Sequence, residues 1–242
     1  MHTKNNTFNI AQSQQEGISM SRTFVANVFL WMFLALAITA ATSYFFASDS
    51  KLIGSLINPE TGGMNTLGWV VFLSPFGFVL LMSFGFSKLS SGILSLLFIA
   101  FAILMGISLS FILLVYTAAS ITLTFIVTSG MFGLMAFVGY TTKTDLTKFG
   151  SIMFMGLIGI IIASVANFFM HSSSLDYIIS FIGVLVFTGL TAYDVQKLKR
   201  IGSGLQYGAE PAKKLTIMGA LNLYLDFINL FLFLLRFLGN RK

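Results

Sequence analysis

Seven long apolar stretches leave this chain few folds to choose from. They are Phe24–Phe46, Leu67–Phe86, Gly92–Tyr116, Ser120–Tyr140, Phe149–Met170, Tyr177–Lys197 and Leu215–Leu238. Each comes close to the roughly 20 residues that cross a bilayer as an α-helix. Inside hydrocarbon a backbone satisfies its own polar groups only as a helix or a closed barrel, and stretches of this length suit the helix. The charge content agrees: 9% of the 242 residues are Asp, Glu, Lys or Arg, against about 25% in soluble domains, and 56% are apolar. So few charges cannot coat a soluble surface of this size. An ordinary cytosolic enzyme, a disordered chain and a nucleic-acid binder are excluded, and the net charge of +6 reads as membrane topology rather than a polyanion site. The expected fold is all-α, an integral membrane protein of seven transmembrane helices embedded in a lipid bilayer.

The remainder divides into tails and turns. Residues 1–23 are polar and rich in Gln and Asn, which suggests a frayed tail; residues 24–238 form the transmembrane domain and residues 239–242 a basic tail. The first apolar stretch is longer than a signal-peptide core and no convincing small-residue cleavage site follows it, so it reads as a retained helix. The two longest connections, about Ala47–Thr66 and Leu198–Lys214, carry turn signals: Asn58-Pro59 and Gly62-Gly63 in the first, Gly202, Gly204 and Gly208 in the second. Pro211 suits the first turn of the last helix, where a missing N–H costs nothing. With the N-terminus cytoplasmic, Lys4, Arg22, Lys88, Lys143, Lys148, Lys197, Lys199, Arg200, Lys213 and Lys214 lie inside, against Lys51, Arg236, Arg241 and Lys242 outside. The basic C-terminal tail is the one misfit. A re-entrant or broken last helix would remove it, and stands as the alternative to seven full spans.

With no Cys and only His2 and His171, thiolate and histidine metal sites are out of reach. There is no phosphate loop, no G-x-S-x-G and no H-E-x-x-H, and no nucleophile–base pair is visible, so the chain does not read as an enzyme and no cofactor is expected. Attention falls instead on acids within the spans, where charge is costly. Asp226 follows about 11 residues of its helix, near the midplane at ~1.5 Å per residue. Asn222, Asp226 and Asn229 stand at i, i+4 and i+7, one polar stripe that must turn from lipid toward protein or water. Asp194 sits near the end of its span, with Thr188 and Thr191 on its face and Lys197, Lys199 and Arg200 just beyond. Plainer roles stand beside these: a protonated Asp226 that only bonds between helices, and an Asp194 that only pairs with Lys197 or Lys199. If the two acids meet, they tend to share one proton, and once ionised they attract hard cations such as Ca²⁺. A depth mismatch stands against that meeting, and a break or tilt in the last helix, or a deeper sixth, would resolve it. Asn167, Thr191, Tyr193 and Tyr224 are weaker candidates for a site lining. Gly156, Gly159, Ala163 and Asn167 share one face, as do Gly130, Gly133 and Ala136, and small faces let helices pack closely.

Two segments resemble a known family. They are Thr188-Gly189-Leu190-Thr191-Ala192-Tyr193-Asp194-Val195-Gln196-Lys197 and Leu223-Tyr224-Leu225-Asp226-Phe227-Ile228-Asn229-Leu230-Phe231. Both are similar to signature segments of the Bax inhibitor-1 family, in its bacterial branch. Gly139-Tyr140-Thr141-Thr142-Lys143-Thr144-Asp145-Leu146 and Met155-Gly156-Leu157-Ile158-Gly159-Ile160 look like that branch too. The resemblance implies six helices around a central C-terminal one, in a bacterial inner membrane. It implies a pH-sensitive Ca²⁺ leak, with Asp194 and Asp226 as proton-sharing sensor, gate and Ca²⁺ ligands. Many relatives place a basic latch on the second helix; here Leu67–Phe86 has no charge, and Lys88 is the nearest basic residue. Two alternatives accompany the leak. One is a membrane modulator of a quality-control protease or stress response, for which the Gln-rich segment Asn9–Glu16 is the feature to test. The other is a proton-coupled cation transporter.

Overall fold

The computed structural model describes residues 2–205 and 208–242, with side chains from Gly17 onward. The side chains of Asn9–Glu16 lie outside the described residues. Among the described residues eight helices follow in order: α1 (His2–Ser48), α2 (Ser50–Gly54), α3 (Thr66–Gly85), α4 (Ser91–Val115), α5 (Ala118–Thr141), α6 (Thr147–Met170), α7 (Ser173–Ser203) and α8 (Glu210–Leu238). All but α2 are long and apolar enough to cross a membrane, and the protein is a multi-pass, all-α membrane protein.

Helix starts are set by polar caps. Asn65, Ser90, Thr117 and Ser172 each accept a first-turn N–H, of Gly68, Ile93, Ser120 and Leu175 respectively. Pro211 stands in the first turn of α8. Pro75 inside α3 removes the N–H that would bond Val71 O, and two hydroxyls replace it: Ser74 Oγ at 2.8 Å and Ser108 Oγ of α4 at 3.2 Å. A proline that would weaken a helix in water thus joins two helices in lipid.

The expected frayed tail is instead a continuation of α1. Its backbone is helical from His2, and the turn before the span packs on the end of α7, where Ser21 Oγ donates to Lys199 O at 2.8 Å. A helix nucleated in the membrane extends outward at low cost when such a contact receives it.

Around these spans α1 packs against α4, α7 and α8, and α8 packs against α1, α4, α5 and α7; α3 rests on α4 and α6 on α7. The most apolar window of α8 is 67% buried, that of α6 only 6%, so α8 is interior and α6 lies toward lipid. The re-entrant last helix does not occur. α8 runs unbroken from Glu210, which accepts from Ser91 N at 2.6 Å, to a C-terminal tail where Lys242 N donates to Val115 O at 2.9 Å. One end of the bundle (the N-side) therefore carries Ser21, the α3–α4, α5–α6 and α7–α8 turns. The other (the C-side) carries residues 49–65, the α4–α5 and α6–α7 turns and the C-terminus.

The small-residue faces behave unevenly. A Cβ on Gly156 would meet Val186 of α7, as close packing requires, but Gly130, Gly133 and Gly159 face open space. Close approach is made elsewhere: Gly106 against Thr39 and Thr42 of α1, and Gly139 against the backbone of Ala192. Composition marks which residues permit contact, and only the assembled bundle decides which are used.

Candidate functional site

Antiparallel packing of α7 on α8 fixes the register that matters. Leu198 packs over Gly219, and Phe233 packs over Gly183, so in this antiparallel register Asp194 comes alongside Asn222–Leu223, about one helical turn from Asp226. Asp194 and Asp226 both border one cleft beside α7 and α8. No break in α8 is needed. α7 continues nine residues past Asp194 to Ser203, about 14 Å of helix, so Asp194 lies deeper than its distance from Lys197 suggested. Asp226 is 5% exposed, and its Oδ2 has no hydrogen-bond donor among the described residues.

The pair opens into a cleft of about 940 Å³ among α3, α6, α7 and α8, bordered by Phe76, Ser151, Tyr193, Lys197, Asn222 and Asn229. The polar stripe of α8 is displayed there as its spacing required. Asn222 is exposed, and Asn229 is half-buried with its Nδ2 donating to Leu225 O at 2.8 Å. Tyr193 lies flat against Gly150 of α6, which has no room for a side chain. Lys197, one turn from Asp194, is exposed at the cleft. Neither Lys197 nor Lys199 forms an ion pair with Asp194 among the described residues. Lys199 turns away to donate to Tyr140 O at 2.6 Å.

Four sequence candidates stand elsewhere. Thr191 is fully buried and bonds Phe187 O of its own helix at 2.8 Å. Tyr224 is fully buried against Phe98 and Phe101, with its hydroxyl on Thr39 Oγ1 at 2.8 Å. Asn167 caps the α6–α7 turn, accepting from Ser172 N at 3.0 Å. Lys88 is exposed on the α3–α4 turn and is not among the residues bordering the cleft. The cation beside the pair is Lys197, seen in the sequence only as a partner that would neutralise Asp194.

A clamp on the N-side was not anticipated. Gln196, two residues past Asp194, accepts from Leu146 N at 2.8 Å and donates to Thr144 O at 2.7 Å, tying the α5–α6 turn to α7. Arg200 adds an ion pair to Asp145 at 3.0 Å. Thr147's hydroxyl and N–H, then Arg200, hold the exposed Asp145 carboxyl down at about 2. Among the described residues no group of three or more His, Cys, Asp or Glu could hold a metal.

The family model described as "Inhibitor of apoptosis-promoting Bax1" matches residues 21–242. The chain belongs to the Bax inhibitor-1 family. Among its relatives in that family, inner membrane protein YbhL of Escherichia coli (strain K12) is 45% identical over 222 residues, 91% of this chain and 93% of that one. An uncharacterized protein of Borreliella burgdorferi is 44% identical over 96% of this chain and 98% of its own length. Protein RP147 of Rickettsia prowazekii is 42% identical over 99% and 95%. Each of these matches covers more than 90% of both chains.

Proposed function

We propose that this protein is a pH-sensitive Ca²⁺-leak channel of a bacterial inner membrane, with Asp194 and Asp226 as its shared-proton sensor and gate. The observation that supports the reading is that Asp194 and Asp226 both border one cleft beside α8. Two carboxylates in contact in a low-dielectric setting do not both stay charged, so the pair takes up a proton or a cation. Proton and Ca²⁺ then compete for the same oxygens, and Lys197 offers a third positive charge at the rim. The other elements bordering the cleft, α3 and α6, bring no charged residue to it. The N-side is assigned to the cytoplasm because most of the basic residues gather there. The name of the Escherichia coli relative supports the inner membrane.

The test is Ca²⁺ flux into liposomes across pH 5–8, with wild type beside Asp194→Asn and Asp226→Asn. Loss of pH dependence in both variants is expected. Unchanged flux and unchanged pH profile in either would sink the gate. Proton counterflow that drives Ca²⁺ against its gradient would turn the reading to a coupled transporter.

A further inference from the structure

A second cavity lies on the opposite side of α8 from Asp226. It measures about 560 Å³ and is walled by Phe33, Leu36, Phe125, Phe132, Phe227 and Phe231. α1 and α5 each pack on α7 and α8, and the cavity fills the gap left between them. Water does not suit it. A trapped water needs two to four polar partners, and each occupies about 30 Å³ of liquid, so many would be required. Thr39 lines the space, but its hydroxyl is already committed to Ala102 O at 2.9 Å and to Tyr224 at 2.8 Å. An apolar void of about 150 Å³ binds benzene, and one several times larger suits a long alkyl chain.

The cavity also has a polar end. Ser43 lines it and is 6% exposed, and its hydroxyl has no hydrogen-bond partner among the described residues. The membrane segment of α1, Gly17–Ser48, is about 48 Å long, close to the ~45 Å of a bilayer with its headgroups. Ser43 lies five residues before the end of that segment, about 8 Å, where hydrocarbon gives way to headgroup. Just beyond, the basic tail is fastened in place. Lys242 Nζ donates to the carbonyl of Leu113, a wall residue, at 2.8 Å. Asn240 N donates to Ser120 Oγ at 2.9 Å, beside the wall residue Ile121. Arg241 is bridged to Tyr116, with its guanidinium 5.9 Å from the ring centroid.

We propose that this cavity binds one acyl chain of an anionic phospholipid. Ser43 donates to an ester carbonyl, and the phosphate faces Arg241 and Lys242. The tail that offends the charge rule for topology thereby gains a local function. The chain would pack on Phe227, Ile228 and Phe231, the face of α8 behind Asp226. The inference does not depend on the channel reading.

The experiment uses the full chain in nanodiscs of phosphatidylglycerol or phosphatidylcholine containing the same lipid with a photoreactive diazirine on its acyl chain. Cross-linked peptides are mapped by mass spectrometry. Label should concentrate on Phe29–Tyr44, Ile121–Gly133 and Phe227–Phe231. A Cβ at Gly133 meets nothing, so Gly133→Phe has room to fill the cavity and should cut that label severalfold while leaving label on α3 and α6 unchanged. Even labelling of all lipid-facing helices, or full labelling in Gly133→Phe, overturns the site. Phosphatidylglycerol should label severalfold better than phosphatidylcholine, and the double variant Arg241→Gln, Lys242→Gln should erase that preference. A wild type without the preference overturns the headgroup assignment. Ser43→Ala, a smaller change, should weaken labelling in both lipids, and its failure to do so overturns the ester contact.

Discussion

The two faces of α8 meet the membrane in different ways. One carries Asn222, Asp226 and Asn229 into a cleft of about 940 Å³, and the other carries Phe227, Ile228 and Phe231 into a cavity of about 560 Å³. Both spaces lie beside the most buried helix of the bundle. On the first face a buried carboxyl oxygen is left without a donor, while on the second Thr39 bonds Ala102 O and Tyr224 and the hydroxyl of Ser43 is left over. A helix can therefore hold a reactive site and an inert packing surface side by side, separated by about 100° of rotation per residue. The polar face has unspent bonding capacity and the apolar face has unfilled volume.

The largest effects should come from exchanging these characters. Asp226→Asn keeps the shape and removes the titrating oxygen, so the Ca²⁺ flux of the variant should lose its pH response between pH 6 and 8. Asp placed on the other face, as Phe231→Asp, should cost about 3 kcal/mol of insertion free energy and give no pH-sensitive flux. It would have no Asp194 to meet. Membrane-inserted yield and liposome flux read the two outcomes, and a functional Phe231→Asp channel would break the comparison.

Smaller effects separate filled from unfilled space. A Cβ on Gly106 would lie 2.7 Å from Thr39 O and from Thr42 Cβ, so Gly106→Ala forces α1 and α4 apart. The expected loss is about 1–3 kcal/mol, read as a lower midpoint of thermal unfolding in detergent. Gly133→Ala meets nothing and should change stability by less than about 0.5 kcal/mol. Equal losses would mean that the cavity closes in detergent. Tyr224→Phe removes one buried hydrogen bond to Thr39 and should cost about 1 kcal/mol.

Much of this was legible in the sequence because lipid enforces simple rules. Span number and type follow from apolar length alone, and the stripe of Asn222, Asp226 and Asn229 had to face away from lipid. Depth was harder to read. Lys197 and the glycines after it suggested that α7 ended early, yet Gln196 and Lys199 find partners on the α5–α6 turn and at Tyr140 that carry the helix on to Ser203. Those partners are 50 or more residues away in sequence, and no local pattern announces them. The same limit explains Gly133 and Asn167. Small or polar residues state what contacts they permit, and the packing of distant helices chooses among them.

The smallest effect tests whether neutral-pH sensitivity is confined to the polar face of α8. Asp145 sits on the clamp tied to α7, so it is a rival sensor. Its carboxyl accepts from Thr147 Oγ1 at 2.6 Å, from Thr147 N at 2.9 Å and from Arg200 at 3.0 Å, and these hold it at about 2, below the ordinary 3.8. A lowered value means that the ionised form favours the folded turn. That contribution is complete above 3.8 and fades as pH falls through about 2, so nothing at Asp145 changes between pH 5 and 8. Arg200→Gln leaves both Thr147 donors, and the carboxyl should remain below 3.8. Because the ion pair is exposed, its loss should shift the pH profile of flux by less than about 0.3 unit. Carboxyl ¹³C titration of Asp-labelled protein reads the first outcome and the liposome assay the second. A large shift of the neutral-pH response in Arg200→Gln would move the sensor from the α8 cleft to the turn.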